Sequence, residues 1–570
     1  MRNTLIAAFA LIAAAPAYDP ANADTLIDNV NGVQVGSSGK LERFTGILVG
    51  DDGKVKHVLH GEKFKLPAGT TVVDSAGQTM LPGLIDAHGH VMGLGFMALQ
   101  LDLTGTKSLS ELQARLKAYA AANPGGGWIL GRGWNQENWA DKKFPTAADL
   151  DAVVANRPVW LSRVDGHASV ANGAAMKAAG VSAATMAPAG GEIINGLFVD
   201  KAEGLVSKFI PAPSPAQQDA ALAKAQELML ANGLTGAADM GTDADGWAAM
   251  NRAGAAGTLK VRVLGYAGGI AGMKAINGGR PSGWLYGDRL HLAGVKLYAD
   301  GALGSRGAWL KAPYHDKPDT RGLRFMSDVE LQAQAEAAAA GGYQLAIHAI
   351  GDAANAQVIS AYERLNRRHK GDRRWRIEHL QIADPADLKR LKPAGIIASM
   401  QPTHQTSDRT MAEARLDPAR LKGAYAWRTI ERMGVRLAFG SDFPVEHPNP
   451  FPGLSAAVSR QDANGQPPGG WRPRGEGELC HRAEWIYAGR GLCRVCGNAD
   501  REFGAGQMGR LHLRRSRCGG GRPEGACCDQ GAGDVGGGEE GFFRQVTQSA
   551  HALLGPCLRR GASADVPPVR

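Results

Sequence analysis

The chain has 570 residues, of which 44% are hydrophobic and 21% are charged, and its formal net charge is +9. This length suits one large domain with an accessory domain, or three ordinary domains, and the composition is that of a globular protein. The positive charge is spread along the chain without a Lys/Arg block interleaved with aromatic residues, which argues against nucleic-acid binding.

Residues 1–23 predict an export signal rather than a buried N-terminal helix. Arg2 supplies a positive start, an apolar run follows from Leu5 to Ala17, and Ala15-Pro16-Ala17 and Ala21-Asn22-Ala23 both have the small-x-small form of a cleavage site. The run is too short to span a bilayer, and no later stretch is long enough. We expect cleavage after Ala23, export to a bacterial periplasm as the simplest destination, and no stable membrane anchor.

The remaining chain divides into three predicted parts. Residues 24–80 contain short β-like runs separated by glycine turns, which is typical of a small antiparallel β-domain. Strand-like and helix-like runs alternate over residues 81–471, with Ser214 and Ser327 as predicted helix N-caps, and this alternation favours a parallel sheet. There are more than eight candidate strands, so we expect an insertion at about residues 100–225.

Residues that can bind a metal ion recur at the ends of strand-like runs. His88 and His90 end the first run, and their i, i+2 spacing points both imidazoles to the same side of a strand. Four more candidates end later runs: Lys296, His348, His379 and Asp442. A (β/α)8 barrel gathers all C-terminal strand ends at one mouth, whereas an open doubly wound sheet gathers them only near one crevice. The pattern therefore favours a closed barrel.

The chemistry of these side chains suits metal-assisted hydrolysis. Imidazole and carboxylate groups bind Zn²⁺ or a similar ion, and water bound to such an ion becomes a nucleophile near neutral pH. Asp442 could accept the water proton and pass it to a leaving nitrogen. Lys296 has no lone pair as an ammonium group, so it would need to lose a proton or become a carbamate. Each residue alone could be an ordinary core, ion-pair or turn residue, and only the joint pattern favours a metal.

With these residues the chain resembles the amidohydrolase superfamily, specifically its YtcJ-like metal-dependent hydrolase branch (amidohydrolase family 3). The resemblance covers about residues 25–471. The matching stretches are Leu81–His90, Gly294–Gly301, His348–Ala353, Arg376–Gln381 and Gly440–Val445.

The resemblance implies a TIM-like (β/α)8 barrel with a small composite β-sandwich built from both chain ends. It implies His88, His90, His348, His379 and Asp442 as metal-site residues for one or two divalent ions, with zinc expected. It also implies Lys296 as a carbamylated bridging ligand and Asp442 as the general base. The residues that it implies for substrate binding are His167, Arg132, Trp134 and Arg306.

The implied reaction is hydrolysis of a non-peptide carbon–nitrogen bond in a small molecule, such as an amide, a formamide or a cyclic imide. A deaminase of the same superfamily is one alternative, and an inactive or unstable product is another. The oligomeric state is left open, with a homo-oligomer as one option.

The composition changes abruptly after Trp471. Residues 472–570 hold all 7 cysteines, 20 of the 77 glycines, 15 arginines and no lysine. Shifted by one base, codons for Gln507–Arg514 can encode Lys-Trp-Ala-Asp-Phe, which resembles the family's returning sandwich strand. We therefore expect a frameshift near Arg474, in the gene or in its sequencing, and a disordered tail. A cysteine-rich metal module is the competing interpretation, but Cys493-x-x-Cys496 lacks a second pair at matching spacing.

Overall fold

The computed structural model describes residues 24–35 and 41–471, which fall into two compact units divided between Pro82 and Gly83. The predicted export signal at residues 1–23 and the anomalous residues 472–570 lie outside the described residues. Within the described ranges, every helix is too short or too polar to cross a bilayer.

The first unit contains two small sheets. Its strands are β1 (Thr25–Asp28), β2 (Asn31–Val35), β3 (Leu41–Phe44), β4 (Gly46–Val49), β5 (Val55–Leu59), β6 (Thr71–Asp74) and β7 (Thr79–Met80). One sheet has the order β5-β4-β1-β6 and the other the order β3-β2-β7. Most pairs are antiparallel, but β6 and β7 pair in parallel with their neighbours. Leu26, Leu48 and Leu59 form the apolar core of the four-stranded sheet.

The second unit contains fourteen further strands and all of the described α-helices. The strands are β8 (Leu84–Gly89), β9 (Leu101–Asp102), β10 (Ile129–Trp134), β11 (Val159–Arg163), β12 (Ala168–Ala171), β13 (Gly191–Ile194), β14 (Leu197–Asp200), β15 (Leu234–Thr242), β16 (Arg262–Gly268), β17 (Leu290–Tyr298), β18 (Gln344–Ala349), β19 (Arg376–His379), β20 (Ile397–Met400) and β21 (Arg436–Phe439). The helices are α1 (Val91–Leu99), α2 (Leu109–Ala122), α3 (Ala147–Asp151), α4 (Gly173–Ala178), α5 (Gly204–Ser207), α6 (Pro215–Ala231), α7 (Ala244–Ala255), α8 (Gly269–Ala275), α9 (Asp328–Ala340), α10 (Asp352–Arg368), α11 (Pro385–Leu391), α12 (Pro402–Arg415), α13 (Trp427–Arg432) and α14 (Pro450–Ser459).

Eight of these strands form a parallel sheet in the order β21-β20-β19-β18-β17-β16-β15-β8, which confirms the predicted barrel. The strands are almost entirely buried because helices cover their outer face and side chains fill their interior. Helix starts follow the predicted caps: Ser214 and Ser327 each form a capping box at the start of α6 and α9.

The barrel closes between its last and first strands. The Asp442 N–H donates to the His88 carbonyl at 2.7 Å, and the His90 N–H donates to the Phe443 carbonyl at 2.7 Å. The Ser441 hydroxyl donates to Asp86 Oδ2 at 2.6 Å, so a buried carboxylate on β8 also holds the segment after β21. We call this contact between β8 and the residues after β21 the barrel seam.

A six-stranded sheet of order β13-β14-β12-β11-β10-β9 lies between β8 and β15 in the chain. Its strands pair in parallel from β9 to β11 and antiparallel from β11 to β13. It has its own apolar core, which includes Leu112, Trp134 and Leu161. We call this part the inserted sheet.

Candidate metal centre

The structure brings all six predicted metal-site residues to one end of the barrel. His88, Lys296, His348 and His379 lie at or near the C-terminal ends of β8, β17, β18 and β19, while His90 and Asp442 follow β8 and β21. Because all eight strands are parallel, residues more than 300 positions apart in sequence meet here. All except His90 are almost completely buried.

The Asp442 carboxylate lies among four imidazoles. Its Oδ1 atom is 3.0 Å from His90 Nε2 and 3.5 Å from His88 Nε2. Its Oδ2 atom is 3.9 Å from His379 Nδ1 and 3.8 Å from His404 Nε2. Asp442 and His379 both have positive φ angles, +60° and +75°, which is an uncommon backbone for residues other than glycine. The local backbone is thus strained at the residues that converge, as functional sites often are.

The His88 imidazole is hydrogen-bonded to a buried carboxylate. His88 Nδ1 lies 2.6 Å from Glu378 Oε2, so the Nδ1–H donates to Glu378 and Nε2 faces Asp442 and, at 3.3 Å, Lys296 Nζ. Glu378 also accepts hydrogen bonds from the Arg376 guanidinium at 2.7 and 2.9 Å. Burial alone would raise the pKa of Glu378, but Arg376 and His88 hold that pKa far below its usual value.

The histidines are suited to donate lone pairs. Burial, assisted by Lys296, lowers the pKa of His88 to about 4. Burial and neighbouring positive groups lower the pKa values of His348 and His379 well below the usual value. These imidazoles are therefore neutral at pH 7, which is the form that binds metal ions. Burial also lowers the pKa of Lys296 to about 8, so its neutral amine is accessible near neutral pH.

The residues present fit a divalent metal ion. Two overlapping groups, His88-His90-Asp442 and His379-His404-Asp442, have their ligand atoms within 4.8 Å of one another. Asp442 Oδ1 is buried and accepts no well-aligned hydrogen bond from any described residue. A buried carboxylate oxygen without a donor is costly unless a cation satisfies it, and a mixed imidazole–carboxylate set suits Zn²⁺ among other divalent ions.

His348 belongs to the cluster but faces a different neighbour. Its ring centroid is 4.6 Å from that of His379. Its Nε2 atom lies 3.4 Å from the Gly301 carbonyl and 3.5 Å from Asp300 Oδ1, and the residue is in neither ligand group of the described chain.

A cavity of about 790 Å³ opens above these residues. His90, Lys296, His348, His379 and Asp442 line its floor, and residues of the inserted sheet line its wall. Two predicted substrate-binding residues are in that wall. His167 Nδ1 lies 2.7 Å from Asp200 Oδ1, and its ring centroid is 5.2 Å from that of His348. Arg132 donates from Nη2 to the Val164 carbonyl at 2.9 Å.

The other two predicted substrate-binding residues, Trp134 and Arg306, do not line this cavity. Trp134 is completely buried in the core of the inserted sheet, where its indole N–H donates to the Leu161 carbonyl at 2.8 Å. Arg306 pairs with Asp316 at 2.7 Å and lines a separate cavity of about 290 Å³. Both lie in motifs with glycine turns, and a motif alone does not say which way a side chain points.

Sequence reasoning missed His404 and the role of Glu378. His404 lies in the first turn of α12, four residues after β20, and it lines the cavity. The available signal was the run Met400-Gln401-Pro402, since a proline in a helix's first turn after a strand marks a barrel strand end. Glu378 lies on β19 two positions after Arg376, and this i, i+2 spacing puts the two charged side chains on the same face of the strand.

Comparison with known proteins finds a matching family model and several relatives. The model of the amidohydrolase family matches residues 71–491, which extends beyond Trp471. The putative amidohydrolase YtcJ of Bacillus subtilis (strain 168) is 33% identical over 431 residues, covering 73% of this chain and 80% of that protein. N-substituted formamide deformylase of Arthrobacter pascens is 28% identical over 428 residues, covering 70% of this chain and 76% of the relative.

Among solved structures, an uncharacterized metal-dependent hydrolase from Pyrococcus horikoshii OT3 matches with a TM-score of 0.66 and 26% identity. The match covers 86% of this chain and 95% of that chain. A relative from Pyrococcus furiosus, also an uncharacterized metal-dependent hydrolase, matches with a TM-score of 0.61 and 25% identity, covering 86% of this chain and 97% of that one.

Proposed function

Because this chain belongs to the amidohydrolase family, we propose that it hydrolyses a carbon–nitrogen bond other than a peptide bond in a small molecule. Amides, formamides and cyclic imides are the substrate classes that we favour. The observation that carries the proposal is the Asp442 carboxylate, surrounded by imidazoles at the floor of a 790 Å³ cavity. The similarity to a formamide deformylase supports this choice of bond.

The residues proposed to hold the metal are His88, His90, His348, His379 and Asp442, with Lys296 as a carbamate. We favour zinc, as one ion or two, because the donors are nitrogen and oxygen. When bound, the ion would lower the pKa of a water molecule and polarise the substrate carbonyl group. Formation of the carbamate joins Lys296 Nζ to the carbon of carbon dioxide and releases a proton. The lowered pKa of Lys296 supports this step, since only the neutral amine can react.

Asp442 is the proposed general base. Burial raises its pKa, but His88, His90 and His379 outweigh burial and hold the pKa well below its usual value, so the carboxylate is ionised at neutral pH. It would accept a proton from the attacking water and pass that proton to the leaving nitrogen as the carbon–nitrogen bond breaks. His167 and Arg132, in the cavity wall, are proposed to contact the substrate.

The direct test combines metal analysis with a panel of N-acyl and N-formyl compounds, using a frame-corrected, metal-supplemented protein. We expect stoichiometric zinc or a similar metal and cleavage of at least one compound class, with both properties lost in His88→Ala and His348→Ala. If these variants hydrolyse the compounds as well as the parent does, the proposed mechanism is wrong. Release of ammonia from aminopurines or pyrimidines, without amide cleavage, would instead identify a deaminase.

We also propose that the chain is exported, on the basis of the signal-like residues 1–23. Sequencing the N-terminus of the protein from a periplasmic fraction tests this. A mature protein that begins at Asp24 is the expected result, and a retained Met1 in the cytoplasmic fraction would contradict it.

A further inference from the structure

His404 faces a nitrogen donor on one side of its ring. Its Nδ1 atom lies 3.2 Å from Gln381 Nε2. The same Gln381 nitrogen lies 3.5 Å from Asp408 Oδ2, and Tyr425 donates to that oxygen at 3.0 Å. Rotating the amide by 180° would place the Gln381 oxygen against the Asp408 carboxylate, where two acceptors would repel. The Asp408 carboxylate therefore keeps the Gln381 N–H directed at His404.

This contact determines where His404 carries its proton. An Nδ1 atom that accepts a hydrogen bond is unprotonated, so the ring is neutral and carries its proton on Nε2. Nε2 is buried and has no hydrogen-bond partner within the described ranges. It is directed at the cavity floor, 3.8 Å from Asp442 Oδ2, which is too far for a direct hydrogen bond. A buried N–H without an acceptor is costly, so this donor fits a ligand oxygen.

We infer that His404 is a catalytic residue that donates its Nε2–H to the carbonyl oxygen of the substrate and is not a metal ligand. This inference rests on the proposed function. As water attacks the carbonyl carbon, negative charge grows on that oxygen, and a fixed N–H donor stabilises the charge. The proximity of His404 to His379 and Asp442 suggests a metal ligand, but a protonated nitrogen has no lone pair to offer a cation. Gln381 and Asp408 are positioning residues that act through His404.

The tautomer is measured by ¹⁵N NMR of the full chain labelled at histidine nitrogens, with and without added zinc. The His404 signals are assigned by their loss in His404→Gln. We expect a protonated Nε2 and an unprotonated Nδ1 in both samples. Gln381→Glu places an acceptor against Nδ1, so we expect the proton to move to Nδ1 in that variant. A proton on Nδ1 in the parent, or a zinc-dependent loss of the Nε2 proton, overturns the inference.

Metal content gives an independent readout. We expect His404→Leu and His404→Gln to bind as much zinc per chain as the parent, matching a His447→Asn control that removes an exposed histidine. Loss of zinc in both His404 variants, with the control unchanged, would show that His404 is a ligand.

With a cleaved compound in hand, His404→Leu should lower kcat by about 100-fold to 1000-fold with little change in KM, as loss of a single charge-stabilising donor does. His404→Gln, which keeps an N–H donor, should recover part of that loss, and equal kcat values in the two variants would overturn the inference. If the parent cleaves nothing, the proposed function fails, while the NMR and zinc results still decide the state of His404.

Discussion

Glu378 carries a buried charge that depends on its hydrogen-bond partners. It is completely buried, and its charge is balanced by the Arg376 guanidinium while His88 donates to it. Arg376 also donates to the Ala87 carbonyl and to Ser399, so the pair connects three barrel strands. Neither charge has access to water, which makes each depend on the other.

We predict that Glu378→Gln destabilises the protein by about 3–5 kcal/mol, because it leaves the Arg376 charge buried and unpaired. Urea unfolding of the metal-free protein measures the change. Arg376→Gln together with Glu378→Gln should cost less than the sum of the single variants, since no uncompensated charge remains. If Glu378→Gln lowers the free energy of unfolding by less than about 1 kcal/mol, Arg376 has found another partner.

The lowered pKa values of buried histidines determine how the free energy of unfolding depends on pH. Burial lowers the pKa of His88 and of His291 to about 4, below the value of about 6.5 in the unfolded chain. Between these values the unfolded state binds more protons, so the stabilisation is present above pH 6.5 and is lost as the pH falls towards 4.

We therefore expect the free energy of unfolding of metal-free protein to fall between pH 6.5 and 4, by about 1.4 kcal/mol per pH unit for each such histidine. His291 lies on β17, five positions before Lys296 and outside the cavity lining, so it can be changed separately. In His291→Phe, the free energy of unfolding should change less steeply with pH, by about 1.4 kcal/mol per pH unit, and the zinc content should stay the same. An unchanged slope in urea titrations of this variant would refute the assignment.

The predicted metal-site residues converge in the structure where residue chemistry and strand position point to the same place. His88, His90, Lys296, His348, His379 and Asp442 are of metal-binding or carbamate-forming types at strand ends, and the structure brings them together. Trp134 and Arg306 lie outside the large cavity, and only tertiary packing decides whether a side chain faces that cavity or a core. His404 was missed because it lies on a helix, where no period of two marks its direction.

At the scale of elements, the barrel seam controls the position of Asp442. Gly440 is the first residue after β21. A Cβ atom at this position would be 2.5 Å from Asp86 Oδ1 and 2.5 Å from the backbone nitrogen of His88. A contact this short forces the two segments apart, since neither the buried carboxylate nor the backbone can move freely.

We predict that Gly440→Ala destabilises the protein by about 1–3 kcal/mol and reduces zinc binding, because it displaces Asp442 from His88 and His90. Gly204→Ala is the matched control, since a Cβ at Gly204 has no atom within 4 Å. The control should be neutral or stabilising by up to about 1 kcal/mol. Thermal unfolding and zinc content measure both variants, and equal behaviour would mean that the seam tolerates the extra methyl group.

The sequence pattern predicted the strands of the barrel better than it predicted the strand pairing of the inserted sheet. Continuous apolar runs such as those of β17 and β18 mark strands buried on both faces, and their order along the chain gives their order in the sheet. The inserted sheet changes from parallel to antiparallel pairing at β11 and β12, and no local signal in the sequence specifies that change. The two-residue strands β7 and β9 are too short to show a period.

For the whole molecule, the proposed frameshift after Trp471 leaves the described metal-site residues upstream of the break. We predict that resequencing the codons near Arg474 reveals an added or missing base, because the composition after Trp471 differs from that of the preceding chain. The family match runs to residue 491, past Arg474, so the prediction rests on composition and not on where that match ends. An uninterrupted reading frame through Arg570 in independently prepared DNA would contradict the prediction.

The barrel seam has a consequence for the order of events during synthesis. Asp86 and Ser441, which meet there, are 355 residues apart, so His88 leaves the ribosome long before Asp442 exists. Until β21 docks, His88 and His90 have no Asp442 carboxylate across from them, so the proposed metal ion would lack one of its ligands. We expect the proposed metal ion to be held tightly only after β21 has docked beside β8, because Asp442 then faces His88 and His90.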